Sequence, residues 1–336
     1  MAGATRVRLV RRAFAVFGLL LAASAAHAGQ VRINVCQGGF AFTPYKVNIN
    51  QGDHVVWVWP AGSHNVANWN PPADSISSNI DGTVFNSDPG GFGQNNTTRF
   101  SWKSDRTGTV PFVCVVHIPD MTGRIFIVPP TSPPTNPVAD FRLTEVQFNV
   151  PGGQDLIEIT NLGAAAGDLR SYRIATIGSG TGVPIVSSDF SLAAGARVTI
   201  HTAAAGANTA TDIFAPGIGS LSDAAGPVAL YVPSTLSPQK ALTNKDLMIA
   251  FGQGGAPGQA NETTASQAGF WGVGTSLNGV AAGHSIEYCA SATLEHGANH
   301  WAEIATPNFG GNGDCSTPIA GETWGKLIRE KNIRAD

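Results

Sequence analysis

Val110-Pro111-Phe112-Val113-Cys114-Val115-Val116-His117-Ile118-Pro119-Asp120-Met121-Thr122-Gly123 places a thiol, an imidazole and a thioether within eight residues, directly after an apolar run that reads as a buried strand. These are soft or borderline metal donors, and the short loop supplies three of them. A further imidazole must come from elsewhere. His64, in Ala61-Gly62-Ser63-His64-Asn65-Val66, follows the apolar run of residues 55–59 and so stands just past another strand end. Two strand ends meeting at one pole of a β-sandwich would bring His64 to the loop without any helix.

A trigonal His₂Cys set with a weak axial Met is the arrangement of a blue-copper electron-transfer site. Residues 30–128 resemble a cupredoxin of the plastocyanin–azurin family. The likeness lies in Gly39-Phe40-Ala41-Phe42-Thr43-Pro44, in the Gly52-Asp53 turn after Val47-Asn48-Ile49-Asn50-Gln51, in Ser63-His64-Asn65-Val66 and in Cys114-x₂-His117-x₃-Met121-x-Gly123. The resemblance implies a Greek-key β-sandwich with one type 1 copper ion held by His64, Cys114, His117 and Met121. It also implies that Asn65 ties the His64 segment to the ligand loop. The spacing between the second His and the Met departs from the family's commonest pattern, which bears on the axial bond and the potential. The cysteines also admit a disulfide between Cys36 and Cys114, but that pairing gives His64, His117 and Met121 no reason to stand where they do.

Residues 1–28 read as a secretory signal peptide: Arg6, Arg8, Arg11 and Arg12, then an apolar stretch, then Ala26-His27-Ala28 before the cut. Arg11-Arg12-Ala13-Phe14 resembles a twin-arginine signal, with Val10 in place of the usual Ser or Thr, so the route is Sec or Tat. The expected location is periplasmic or secreted, with no transmembrane segment. Without the leader the chain holds 16 basic and 23 acidic residues. No basic stripe exists, which argues against nucleic acid. No G-x-S-x-G, H-E-x-x-H or phosphate-cradling motif occurs, so the chain reads as a carrier and not an enzyme.

Forty Gly, 21 Pro and low charge fit a loop-rich all-β protein, and its length calls for two domains. Residues 29–128 make the copper-binding domain, 129–139 a Pro-rich linker, 140–321 a second sandwich and 322–336 a tail. Polyproline character predicts a linker that holds the two domains apart. Alternation in Asp155-Leu156-Ile157-Glu158-Ile159-Thr160-Asn161 and later strands argues an immunoglobulin-like sandwich. This region resembles a lamin tail domain through Leu156-Ile157-Glu158-Ile159-Thr160-Asn161, Leu192-Ala193-Ala194-Gly195, Trp301 and Ala305-Thr306-Pro307-Asn308, with Asn308 where that family has Gly. Such a domain implies binding or tethering to a surface or protein target.

Cys289 and Cys315 are expected to form the one disulfide, leaving Cys36 a buried free thiol on the first strand. His296 and His300 have the spacing of a zinc pair but lack a helical context; His54, His201 and His284 read as isolated surface or capping residues. Ile118 and Pro119 are expected to form an apolar electron-exit patch around His117 that meets a redox partner protein. The competing reading is an extracellular adhesion or scaffold protein with structural copper or none.

Overall fold

The computed structural model describes residues 29–311 apart from 37–39, 60–63, 70–82, 89–98, 119, 131–137, 149, 151–153, 178–181, 222–225, 235–240, 256, 276, 278 and 290–297. The expected leader, Pro119, most of the linker, His296, Cys315 and the C-terminal tail lie outside the described residues.

Among the described residues, eight strands precede the linker: β1 (Gln30–Val35), β2 (Phe42–Thr43), β3 (Lys46–Asn50), β4 (His54–Val58), β5 (Ala67–Asn68), β6 (Arg99–Lys103), β7 (Gly108–Val113) and β8 (Thr122–Val128). They form two sheets, in the orders β2-β1-β4-β6 and β3-β8-β7-β5. Alternating side chains send Ile33, Val35, Val47, Ile49, Val55, Trp57, Phe112 and Ile125 into one core between the sheets. Trp57 sits at its centre, edge-on to Phe112 with ring centroids 5.6 Å apart. Gly52, at φ 101°, makes the turn between β3 and β4 that a side chain would strain.

After the linker come β9 (Phe141–Gln147), β10 (Leu156–Asn161), β11 (Gly167–Asp168), β12 (Arg173–Thr176), β13 (Val183–Pro184) and β14 (Ser191–Leu192). Then follow β15 (Arg197–His201), β16 (Asp212–Phe214), β17 (Pro227–Tyr231), β18 (Met248–Gln253), the helix α1 (Glu262–Gln267), β19 (Ser285–Tyr288) and β20 (Trp301–Ile304). A six-stranded sheet, β16-β15-β10-β9-β19-β20, faces the sheet β13-β12-β17-β18 across a second core. Asn161, fully buried, is the hub of this half. Its Oδ1 accepts from the N–H groups of Asp140 (2.9 Å) and Gly163 (3.0 Å), and its Nδ2 donates to the carbonyls of Ala165, Leu192 and Ala193.

The two halves do not stand apart as the proline-rich linker suggested. Gln30 N–H donates to the Ala139 carbonyl at 2.7 Å, and Gln30 Oε1 accepts from Phe141 N–H at 2.9 Å. Arg32 pairs with Asp168, and His54 Nε2 lies 2.7 Å from the Asp246 carbonyl. The physical reason is β4, all five of whose residues are buried. Val55 and Trp57 fill the first core, whereas Val56 and Val58 face the other way and line the seam with Ala139, Phe141 and Tyr172. A strand apolar on both faces needs cover on both, and the second half provides it.

Nor are the lone histidines isolated. His54 is fully buried, His201 Nε2 is 3.0 Å from Asp212 and stacks on Phe214, and His284 Nδ1 is 2.6 Å from Glu303. Burial lowers the pKa of His54 to about 4, with the positive charges of Lys103 and Arg142 adding to the effect and the Asp246 carbonyl opposing it. Beside it, burial raises Asp53 to about 6, helped by Asp140 and opposed by hydrogen bonds from Asn50 and Gly29. The two act in opposite directions. Between pH 6.5 and 4 the unfolded chain protonates its histidine while the folded one does not, so His54 withdraws stability as pH falls. Asp53 holds its proton better when folded, so it adds stability as pH falls through the same window. His54→Gln, which can still donate to the Asp246 carbonyl, removes only the first effect. In urea unfolding, wild type is expected to lose about 3 kcal/mol relative to this variant between pH 7 and pH 4; a pH-independent difference would contradict the assignment.

Candidate metal centre

Antiparallel pairing sets the site. Ala67 of β5 is opposite Val113 of β7, and continuing that register past the strand ends puts Asn65 opposite Val115. Asn65 Oδ1 accepts the Val115 N–H at 2.8 Å, and the Cys114 Sγ lies 3.7 Å from the same oxygen. The residue before Asn65 is His64, so this one side chain holds the first imidazole beside the loop. β7 ends at Val113, earlier than the apolar run suggests, and residues Val115–His117 form a 3₁₀ turn. Three backbone hydrogen bonds of 3.0 Å, Cys114 N–H to Met121 O, His117 N–H to Cys114 O and Met121 N–H to His117 O, brace the loop.

The ligand atoms of His64, Cys114 and His117 lie within 4.8 Å of one another. Cys114 Sγ is 3.7 Å from Nδ1 of His64 and 3.5 Å from Nδ1 of His117. Donors at about 2.0 Å (nitrogen) and 2.3 Å (sulfur) from one ion stand roughly 3.5 Å apart at tetrahedral angles, so the three donors fit a single metal. Cys114 and Met121 are fully buried. Burial pushes the Cys114 thiol up from its ordinary value, opposed by hydrogen bonds from the backbone at Asn65, Val116 and His117. Those hydrogen bonds favour a thiolate, the form that binds metal. Burial, then the proximity of His117, lowers the pKa of His64, favouring the neutral imidazole that metal also requires.

Around the loop, apolar groups beyond the expected exit patch are exposed. Ile118 is half-buried, Pro119 is not among the described residues, and Val116 and Phe40 are the exposed ones. The Phe40 ring stacks on His117, with centroids 4.3 Å apart and planes at 24°. Cys36 also differs from expectation. It is free and half-buried, lies beyond the end of β1 and approaches the metal ligands. Its φ of 58° turns the chain out of the strand and redirects the side chain. Cys289 is disulfide-bonded, and its expected partner Cys315 is not among the described residues.

Residues 29–128 match the family model of copper binding proteins, plastocyanin/azurin family. Among solved structures, the oxidized plastocyanin from Dryopteris crassirhizoma is 20% identical, covering 29% of this chain and 100% of that chain at a TM-score of 0.21. Auracyanin A, a "blue" copper protein from Chloroflexus aurantiacus, is 18% identical, covering 30% and 98% at 0.22. No curated protein matches the chain. Over residues 29–128, then, the chain carries a domain similar to the copper-binding proteins of the plastocyanin/azurin family, and copper is the cofactor its His64–Cys114–His117 group suits.

Proposed function

We propose that this chain is an exported blue-copper electron carrier with an appended binding or tethering sandwich. The convergence of the His64, Cys114 and His117 ligand atoms within 4.8 Å carries the reading. Bound copper would supply a one-electron couple between Cu(I) and Cu(II). The fully buried Met121 thioether would hold the ion together with these three, as the resemblance implies. Asn65 and the three loop hydrogen bonds hold the ligands in one geometry, so little needs to move between the two oxidation states. Electrons leave through His117, the ligand imidazole beneath the exposed Phe40 ring, toward a redox partner protein.

Export to the periplasm or beyond follows from the leader-like residues 1–28; among the described residues no helix is long and apolar enough to cross a membrane. A lamin-tail-like identity for the second sandwich is supported by its strand pattern ending in Asn161. A surface scaffold with structural copper is the second reading, favoured by the packing of the second half over β4. An absorption spectrum with a reversible redox titration of the copper-loaded full chain decides. The expected result is an intense thiolate-to-Cu(II) band that disappears on reduction and loses most of its intensity in Cys114→Ser. A colourless Cu(II) protein, or one that cannot be cycled, would overturn the carrier.

A further inference from the structure

A second thiol reaches this centre. Cys36 Sγ lies 3.4 Å from Nδ1 of His64 and 3.8 Å from Sδ of Met121. The approach is built into the backbone. Cys36 adopts φ 58°, a left-handed conformation uncommon for a residue with a side chain, and its N–H donates to the Ala41 carbonyl at 2.8 Å. That conformation brings the sulfur to the His64 and Met121 side of the centre.

The 3.4 Å separation is shorter than either distance from Cys114 Sγ to an imidazole nitrogen, 3.7 Å to His64 and 3.5 Å to His117. It matches the roughly 3.5 Å expected of a nitrogen and a sulfur that share one ion. A thiol kept only as a hydrogen-bond donor would lose its His64 acceptor once that nitrogen binds metal, and would keep the long contact to Met121 Sδ. Resting on the copper reading above, we propose that Cys36 is a second thiolate ligand of the metal held by His64, Cys114 and His117, entering on the side of Met121.

The step is a deprotonation coupled to metal binding. The Cys36 S–H bond breaks, its proton passes to solvent, and an S–Cu bond forms with no electron transferred. Two thiolates and two imidazoles make a softer and more negative donor set than one thiolate with a thioether. The pocket therefore favours a soft ion such as Cu(I). Met121 would stay beside Cys36 as the weaker of the two sulfur donors on that side.

The test uses the full chain loaded anaerobically with one equivalent of Cu(I). X-ray absorption at the copper edge is expected to count two short Cu–S bonds in wild type and one in Cys36→Ser. Iodoacetamide labelling of Cys36, read by peptide mass, is expected to slow at least tenfold when Cu(I) is bound. The labelling result stands even where the serine variant fails to fold. One short Cu–S bond in wild type, equal labelling with and without copper, or a Cys36–Cys114 disulfide in the loaded protein overturns the proposal. If Cys114 stays protected while Cys36 labels freely, the copper reading survives and only this ligand is lost. If copper binds substoichiometrically, or equally well to Cys114→Ser, the copper reading fails and the second thiolate fails with it.

Discussion

Asp140→Ala is expected to destabilise the protein by about 3 kcal/mol, the lower end of the ~3–5 kcal/mol for leaving a buried charge without its partner. The Arg142 Nε lies 2.8 Å from Asp140 Oδ1, with side chains only 4% and 7% exposed. Arg142 also donates to the Ile249 carbonyl, so its guanidinium cannot swing out to water without breaking a second contact. One compensation lowers the cost: Asp140 helps to push up the pKa of Asp53, and its removal relieves that carboxyl. Urea unfolding at neutral pH measures the loss. An Asp140→Ala protein within about 0.5 kcal/mol of wild type, the range of an ordinary surface change, would show that Arg142 finds another counter-charge.

Asn161→Leu should cost still more, about 3–5 kcal/mol, although it keeps the branched skeleton of the side chain. Leucine leaves two backbone N–H groups and three carbonyls without the partner that Asn161 gives them. Each buried donor so stranded costs ~1–3 kcal/mol. Gly163 cannot shift to relieve the loss, because its position presses against the backbone of residues 138–140: a Cβ there would sit 2.2 Å from the Val138 carbonyl oxygen. A thermal midpoint lowered by only a degree or two would count against the hub.

The two predictions also show where a sequence can be read and where it cannot. The ligand loop is legible because a strand followed closely by Cys, His and Met leaves few geometries, and the β5–β7 register then fixes Asn65. Alternation marks β3 and β10 for the same reason: one face is wet and one dry. Cys36 is not legible as a neighbour of the centre. Its direction depends on a single left-handed residue, and nothing in Val35-Cys36-Gln37 announces one. Phe40 escapes as well, since no pattern in the sequence announces its stacking on His117. The seam had a signal: the unbroken run from His54 to Val58 lacks the polar alternation of a half-exposed strand. Proline composition in the linker pointed the other way, and it reports chain stiffness rather than the affinity of the pieces it joins.

That run has a practical corollary for recombinant work. A gene fragment ending at Val128 would encode a complete set of ligand residues, yet it would present Val56 and Val58 to water from the middle of a sheet. His54, no longer walled off, would regain its ordinary basicity in that fragment. Such a truncated product should self-associate through a flat aliphatic face, and its redox behaviour would report on the aggregate. The shortest well-behaved version of this copper protein therefore includes the second sandwich, which serves the first as part of its own interior.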